Sequence, residues 1–157
     1  MPIIENITYS ELDLGDNATL TKTLTDEELV LFAAVSGDVN PVSLDTELAK
    51  KSVYKERIGY GMWAGSLISS GLSSVIPGPG TVHLEQNLKF KKEVNMGDTL
   101  TVSLTVHEKH ERHRVTLKCV VTNQNDEEIA SGESIVVAPV DKVSLTEAAL
   151  PRIEIES

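Results

Sequence analysis

The chain has 157 residues, 40% of them hydrophobic, which fits one globular domain. Its net charge of −10, without a basic arm, argues against a nucleic-acid surface. The single Cys119 and the lack of a secretory signal pattern indicate a cytoplasmic domain. The longest uncharged run is too short to cross a bilayer, so no membrane span is expected.

An opening strand and a capped helix begin the predicted fold. The strand is expected near Ala18 to Leu24. Thr25 followed by Glu28 has the pattern of a capping box, in which each side chain binds the backbone N–H of the other residue. The apolar spacing that follows predicts a helix from Asp26 to about Ser36, ended by Gly37.

An irregular stretch and a second long helix complete the first half. Pro41 pushes Asn40 towards an extended conformation. A short helix is expected from about Thr46 to Lys51. The segment Met62 to Val75 carries no charge and has small residues on every side, so we predict a helix buried nearly all round. The run Pro77 to Gly80 ends it.

Apolar and polar residues alternate in the second half, as in half-buried strands. Strands are predicted at Val82 to Phe90, Leu100 to Val106, Val115 to Val121 and Ile129 to Val137. We expect them to form a consecutive antiparallel meander around the buried helix, an α+β fold. Cys119 lies on an apolar alternate and is predicted to be a core thiol. The domain is predicted over residues 1–140, and residues 141–157 as a tail or linker remnant.

Two basic groups and one histidine series stand out, and solvated strand or turn residues are the simpler interpretation of all three. The basic groups are Lys89, Lys91 and Lys92, and Lys109, Arg112 and Arg114. The histidines are His107, His110 and His113. They fall across a predicted strand and turn without a cysteine or HExxH partner, so no metal site is expected.

Four blocks carry a resemblance to a known family. They are Gly37-Asp38-Val39-Asn40-Pro41-Val42-Ser43-Leu44-Asp45, Ile58-Gly59-Tyr60-Gly61-Met62, Pro77 to Lys91, and Val94 to Asp98. Over roughly residues 8 to 138 they resemble the MaoC-like (R)-specific enoyl-CoA hydratases. The chain ends further resemble the amino-terminal hydratase domain of bifunctional enoyl-CoA hydratase/phosphate acetyltransferase proteins. The resemblance implies a hot-dog fold, an antiparallel sheet wrapped around one long buried helix, and a homodimer whose sheets join edge to edge.

The resemblance also implies catalytic positions for the reversible hydration of trans-2-enoyl-CoA. Family members use an aspartate and a histidine spaced as in D-x-N-P-x-H; here the aspartate is Asp38 and the histidine position is Ser43. The N–H of Gly61 corresponds to the family's oxyanion donor, and a helix N-terminus suits that role. The residue before it is commonly a second histidine and is Tyr60 here.

Substrate contacts are expected from Asn40, Tyr60, Ser66 and Ser69. No phosphate loop, dinucleotide fingerprint or metal set is present in the sequence, so no cofactor is expected beyond the coenzyme A of the acyl-CoA substrate. The phosphates of coenzyme A need cations, and the two basic groups are the candidates.

Ser43 leaves several interpretations open. A serine hydroxyl does not replace imidazole in proton transfer, and positioned acid–base groups contribute about 10²–10⁴-fold, so a weakened hydratase is expected. The alternative is a non-catalytic acyl-CoA-binding or dimerisation module, and natural divergence or engineering would both produce it. Asp38 could instead cap a turn, and Gly61 could serve only a tight turn. A thioesterase would need a carboxylate beside the helix start, and Gly59 to Ser70 contain none.

Overall fold

The computed structural model describes residues 2–156. The described elements follow in the order β1 (Ile3–Glu5), β2 (Asn17–Thr23), α1 (Asp26–Ser36), α2 (Pro41–Leu44), α3 (Thr46–Lys50), α4 (Gly61–Ser74), β3 (Val82–Phe90), β4 (Thr99–Lys109), β5 (Arg114–Thr122), β6 (Glu128–Val137) and β7 (Ser144–Thr146). Helices and an antiparallel sheet are therefore combined in the predicted α+β class.

Five strands form one antiparallel sheet in the order β2-β4-β5-β6-β3. Helix α4 contacts both edge strands, β2 and β3, and also β4. Five flat strands would place the two edges about 19 Å apart, wider than the roughly 10 Å diameter of a helix. The sheet must therefore curve around α4, and the hot-dog arrangement implied by the sequence resemblance is confirmed.

The predicted meander of four consecutive strands is wrong in one place. Strands β4, β5 and β6 do follow one another, but β3 pairs with β6 at the far edge, with Phe90 opposite Ala130. The neighbour of β4 is instead β2, with Leu20 opposite Val102. Alternation along a strand indicates that it is half buried but carries no information about its partner. As a result, β3 has one unpaired edge in the single chain.

The prediction that α4 is buried nearly all round is also wrong. One face of α4 packs in the core through Trp63, Ala64, Leu67, Ile68, Gly71 and Leu72. The other face is exposed at Met62, Ser66, Ser69, Ser70, Ser73 and Ser74. Small uncharged residues are compatible with a packed face and with a solvated one, so their presence on every side did not establish burial.

The capping box of α1 is half formed. The Thr25 hydroxyl accepts from the backbone N–H of Glu28 at 3.2 Å, as predicted. The Glu28 carboxylate lies 3.1 Å from the Lys22 ammonium, however, and takes part in an ion pair. Gly37 ends the helix in the left-handed region with φ 77°, where a residue without Cβ is unstrained.

The tail folds back on the start of the chain. Strand β7 pairs with β1 and places Leu145 opposite Ile4. The first part of the segment after residue 140 is therefore ordered against the domain, whereas the boundary at 140 stays a prediction. Within residues 2–156, no helix is both long enough and apolar enough to cross a membrane.

Gly132 tests how closely β3 packs against β6. A Cβ at Gly132 would lie 1.9 Å from the backbone oxygen of Asn87, so Gly132→Ala must push the two strands apart. We expect it to lower the free energy of unfolding by about 1–3 kcal/mol or more, measured by urea denaturation. The control is Ser131→Ala in the same strand. Equal stability of Gly132→Ala and the unsubstituted protein would contradict this packing.

Candidate active site

A pocket of about 380 Å³ lies at the N-terminal end of α4. It is lined by Phe32, Asp38, Asn40, Val42, Ser43, Ile58, Gly59, Tyr60, Gly61, Met62 and Phe90. The residues come from the end of α1, the α2 turn, the segment before α4 and the end of β3. The structure thus brings together Asp38, Asn40, Ser43, Tyr60 and Gly61, which are distributed over 24 positions of the sequence.

Asp38 both caps a turn and faces the pocket. Its Oδ1 accepts from the backbone N–H of Asn40 at 3.0 Å, and its side chain is exposed. The turn cap is therefore present and the same side chain lines the pocket, whereas its catalytic role stays a prediction. A carboxylate held by a backbone donor keeps a defined orientation towards a bound molecule.

Asn40 and Pro41 organise the short helix that the sequence did not reveal. Asn40 lies outside the helical region, with φ −55° and ψ 118°, and its side-chain oxygen accepts from the N–H of Val42 at 3.2 Å, which caps α2. Pro41 occupies the first helical position, where its missing N–H costs nothing. This turn carries Ser43 into the pocket wall, where only 2% of the residue is exposed.

Tyr60 joins the two sides of the pocket. Its hydroxyl donates to the backbone carbonyl of Asp38 at 2.8 Å, and its ring lies 5.5 Å from that of Phe32. Burial raises the pKa of Tyr60 above its ordinary value of 10.0, and the Asp38 carboxylate adds to this; the Ser43 hydroxyl and the Arg57 cation oppose it more weakly. The phenol therefore stays protonated at neutral pH and acts as a hydrogen-bond donor.

Gly61 is the first residue of α4, and the preceding Tyr60 makes no side-chain cap. The N–H of Trp63 is used by the Tyr60 carbonyl at 3.0 Å, which leaves the N–H groups of Gly61 and Met62 for an anion or for a carbonyl oxygen that gains negative charge. Gly61 does not adopt a positive φ, so its backbone conformation does not require a glycine. A Cβ there would lie 3.1 Å from the Phe90 ring, and the residue is therefore small because space is limited.

Ser66 and Ser69 do not line this pocket. They lie one turn and two turns further along α4, on its exposed face. The Ser66 hydroxyl donates to the Trp63 carbonyl at 2.6 Å. In the single chain, neither serine meets Asp38 or Ser43, and their expected role in substrate binding stays a prediction.

Arg57 was not identified from the sequence. Its Nε donates to the Ser43 carbonyl at 2.8 Å, and its terminal nitrogen lies 2.8 Å from the Asp26 carboxylate. A single arginine before an apolar segment carries no recognisable motif, because its two partners are 14 and 31 residues away. The same holds for Phe32 of α1 and Phe90 of β3, which lie 58 positions apart in the sequence and meet only in the folded pocket.

The two basic groups lie at opposite ends of β3. Lys91 and Lys92 line a second pocket, of about 320 Å³, which shares Gly61 and Phe90 with the first, and they form ion pairs with Glu128 and Glu127. The other group lines a larger pocket of about 830 Å³ through Lys109, Arg112 and Arg114. That pocket borders Leu84, six residues and so about 20 Å along the strand from Phe90.

Cys119 belongs to the core, as predicted. It is fully buried, its sulfur lies 3.0 Å from the Ser134 hydroxyl, and burial raises the pKa of the thiol. His110 contacts the Thr116 hydroxyl at 2.8 Å, and the His113 ring packs edge-on against Tyr9. Within residues 2–156, no group of three or more His, Cys, Asp and Glu side chains could hold a metal ion.

Residues 13–129 match the family described as the MaoC like domain. The chain is 35% identical to an (R)-specific enoyl-CoA hydratase of Rhodospirillum rubrum, over 83% of this chain and 91% of that protein. It is 33% identical to a 3-hydroxybutyryl-CoA dehydratase of Methylorubrum extorquens, over 88% of each. Among solved structures, an unliganded R-hydratase from Pseudomonas aeruginosa superposes with a TM-score of 0.96 at 44% identity, covering 99% of this chain and 100% of that chain.

The pKa of Tyr60 predicts how its hydroxyl stabilises the protein as pH changes. Its folded pKa lies above 10.0, so its contribution is complete below the unfolded pKa and is lost as pH rises through the folded pKa. Tyr60→Phe should therefore cost about 1 kcal/mol of unfolding free energy at neutral pH. The difference from the unsubstituted protein should shrink as the pH rises above about 10, the unfolded pKa, in urea denaturation. A difference independent of pH would contradict the shifted pKa.

Proposed function

The chain belongs to the MaoC-like family of (R)-specific enoyl-CoA hydratases and dehydratases, and on that premise we propose that it hydrates trans-2-enoyl-CoA thioesters at a reduced rate. The observation that carries the proposal is the shared pocket of Asp38 and Gly61, with Ser43 where the motif D-x-N-P-x-H has its histidine. The relatives' names support the thioester substrate, and the pocket supports the reaction class.

Hydration adds a hydroxide to the β carbon and a proton to the α carbon. Asp38 is the ionisable group placed to accept a proton from the attacking water. The Ser43 hydroxyl can hold that water but does not ionise near neutral pH. A single carboxylate must therefore serve both proton transfers, and this is the reason for the proposed loss of rate.

The developing enolate oxygen needs donors that are already in place. The uncapped start of α4 at Gly61 provides N–H groups and the positive end of the helix dipole. Tyr60 cannot add its proton without giving up the bond to the Asp38 carbonyl, so we assign it to holding the pocket wall. Asn40 likewise uses its side-chain oxygen within α2.

The substrate supplies coenzyme A, and no resident cofactor is proposed. Of the two basic groups, Lys91 and Lys92 adjoin the pocket, and we assign the phosphates to them. Both ion pairs, with Glu128 and Glu127, are partly exposed, and such pairs contribute at most about 1 kcal/mol, so a phosphate can replace the carboxylates. We also propose a cytoplasmic location, where acyl-CoA is formed.

The hydratase reaction is tested with crotonyl-CoA, by following the loss of enoyl absorbance. We expect slow turnover by the protein and an increase of about 10²–10⁴-fold in Ser43→His, because the imidazole restores positioned proton transfer while the bond from Tyr60 to the Asp38 carbonyl is kept. Asp38→Asn is the matched control and should abolish turnover in both backgrounds.

Equal rates for the unsubstituted protein and Ser43→His would contradict the reduced-rate proposal, since Asp38 and a water would then suffice. If only Ser43→His is active, the alternative of a non-catalytic module applies. Calorimetry with coenzyme A then distinguishes a module that binds acyl-CoA from one that only holds a dimer together.

A homodimer is proposed through the free edge of β3. Among the described residues 2–156, this nine-residue strand pairs only with β6 and exposes Val82, Leu84 and Phe90 at 55%, 42% and 49%. A second copy would pair with this edge and cover the adjoining exposed face of α4. In the pocket, Phe90 and the half-exposed Met62 would then be shielded from solvent.

Light scattering after gel filtration tests the dimer. The expected mass is twice the 17.0 kDa of one chain. Leu84→Lys should weaken the association, because it places a charge at the proposed edge. Val53→Lys, at a residue 86% exposed and outside β3, is the control. A monomeric unsubstituted protein would exclude the dimer.

A further inference from the structure

We propose that Arg57 is a positioning residue, whose guanidinium holds the α2 turn and thereby places Ser43 and Asp38 opposite the start of α4. This inference rests on the proposed hydratase function of the same pocket. Arg57 does not line the pocket itself, so any effect on the reaction passes through the residues that it holds.

Helix α2 needs external support. It spans only Pro41–Leu44, and a single turn has no stability of its own in water. The Asn40 side chain accepts a hydrogen bond at the N-terminal end of α2. The carbonyls at the C-terminal end of α2 have no partner further along the helix. Arg57 Nε donates to the Ser43 carbonyl at 2.8 Å and so closes the C-terminal end of the turn.

Three hydrogen bonds join the α2 region to the segment that leads into α4. Arg57 reaches Ser43, the backbone N–H of Ile58 reaches the Val42 carbonyl at 3.4 Å, and Tyr60 reaches the Asp38 carbonyl at 2.8 Å. The contact between Ile58 and Val42 is long, so the side-chain bonds of Arg57 and Tyr60 fix the distance between the two segments. They set the distance between the Asp38 carboxylate and the N–H of Gly61.

The other side of the guanidinium is anchored in α1. Its terminal nitrogen lies 2.8 Å from Asp26, which is in the first turn of that helix. The Arg57 side chain is 20% exposed and that of Asp26 is 63% exposed, so the guanidinium is shielded while the carboxylate is largely open to solvent. A planar guanidinium makes both contacts at once, whereas a lysine ammonium has neither the fork nor the fixed angles. Arginine is therefore the residue type that connects α1 to the α2 turn.

Arg57 also supplies positive charge beside the pocket. It lowers the pKa of Tyr60 against the larger effects of burial and the Asp38 carboxylate. Removing the cation should therefore leave the phenol harder to ionise. This gives a readout of the Arg57 position that is independent of turnover.

The first measurement is steady-state hydration of crotonyl-CoA by Arg57→Gln. We expect kcat to fall by up to about 10²-fold, with KM changed much less, as when a reacting group is displaced by about 1 Å. Arg57→Lys should recover only part of the rate. The matched control is Lys22→Gln, which removes another ion pair of α1, with Glu28, away from the pocket.

The proposal is overturned if kcat of Arg57→Gln equals that of the unsubstituted protein, or if its loss matches a loss of folded protein measured by circular dichroism. The second measurement covers the case in which the unsubstituted protein shows no turnover, so that the hydratase proposal fails. The phenol of Tyr60, identified by difference from Tyr60→Phe, is then titrated by ultraviolet absorbance. It should ionise at higher pH in Arg57→Gln, and an unchanged titration would exclude the assigned position of Arg57.

Discussion

The pocket depends on the hydrogen bonds that join residues 38–43 to the segment before α4. The backbone carbonyls of Asp38 and Ser43 accept hydrogen bonds from Tyr60 and Arg57. These bonds are made in a partly shielded environment, where an unsatisfied carbonyl would be costly. Without these bonds, residues 38–43 and the start of α4 would be two independent segments. The distance between the carboxylate and the Gly61 N–H would then be undefined.

The sheet fixes the other wall of the same pocket. Because β3 is an edge strand paired with β6, its end carries Phe90 to within contact distance of Gly61. A glycine at this position satisfies two requirements. It leaves room for the Phe90 ring, and it keeps the uncapped helix N-terminus open to a substrate oxygen. One close packing contact thus couples the fold to the proposed chemistry.

Under the proposed function, the pocket offers few groups for proton transfer. Ser43 is 2% exposed and lies in the wall, so it supports the pocket without adding an ionisable group. Tyr60 has a raised pKa and uses its proton within the protein. Under the proposed function, Asp38 is therefore left as the acid–base group of the pocket.

The sequence by itself determined the α+β class, the capped start of α1, the strands and the blocks containing Asp38, Ser43 and Gly61, because these depend on local periodicity, turn chemistry and motif spacing. Tertiary structure decided the partner of β3, the exposed face of α4 and the role of Arg57. Alternation does not specify which strands pair, and small residues fit both packed and solvated faces. The contacts of Arg57 join residues 14 and 31 positions away, and only the folded chain brings such positions together.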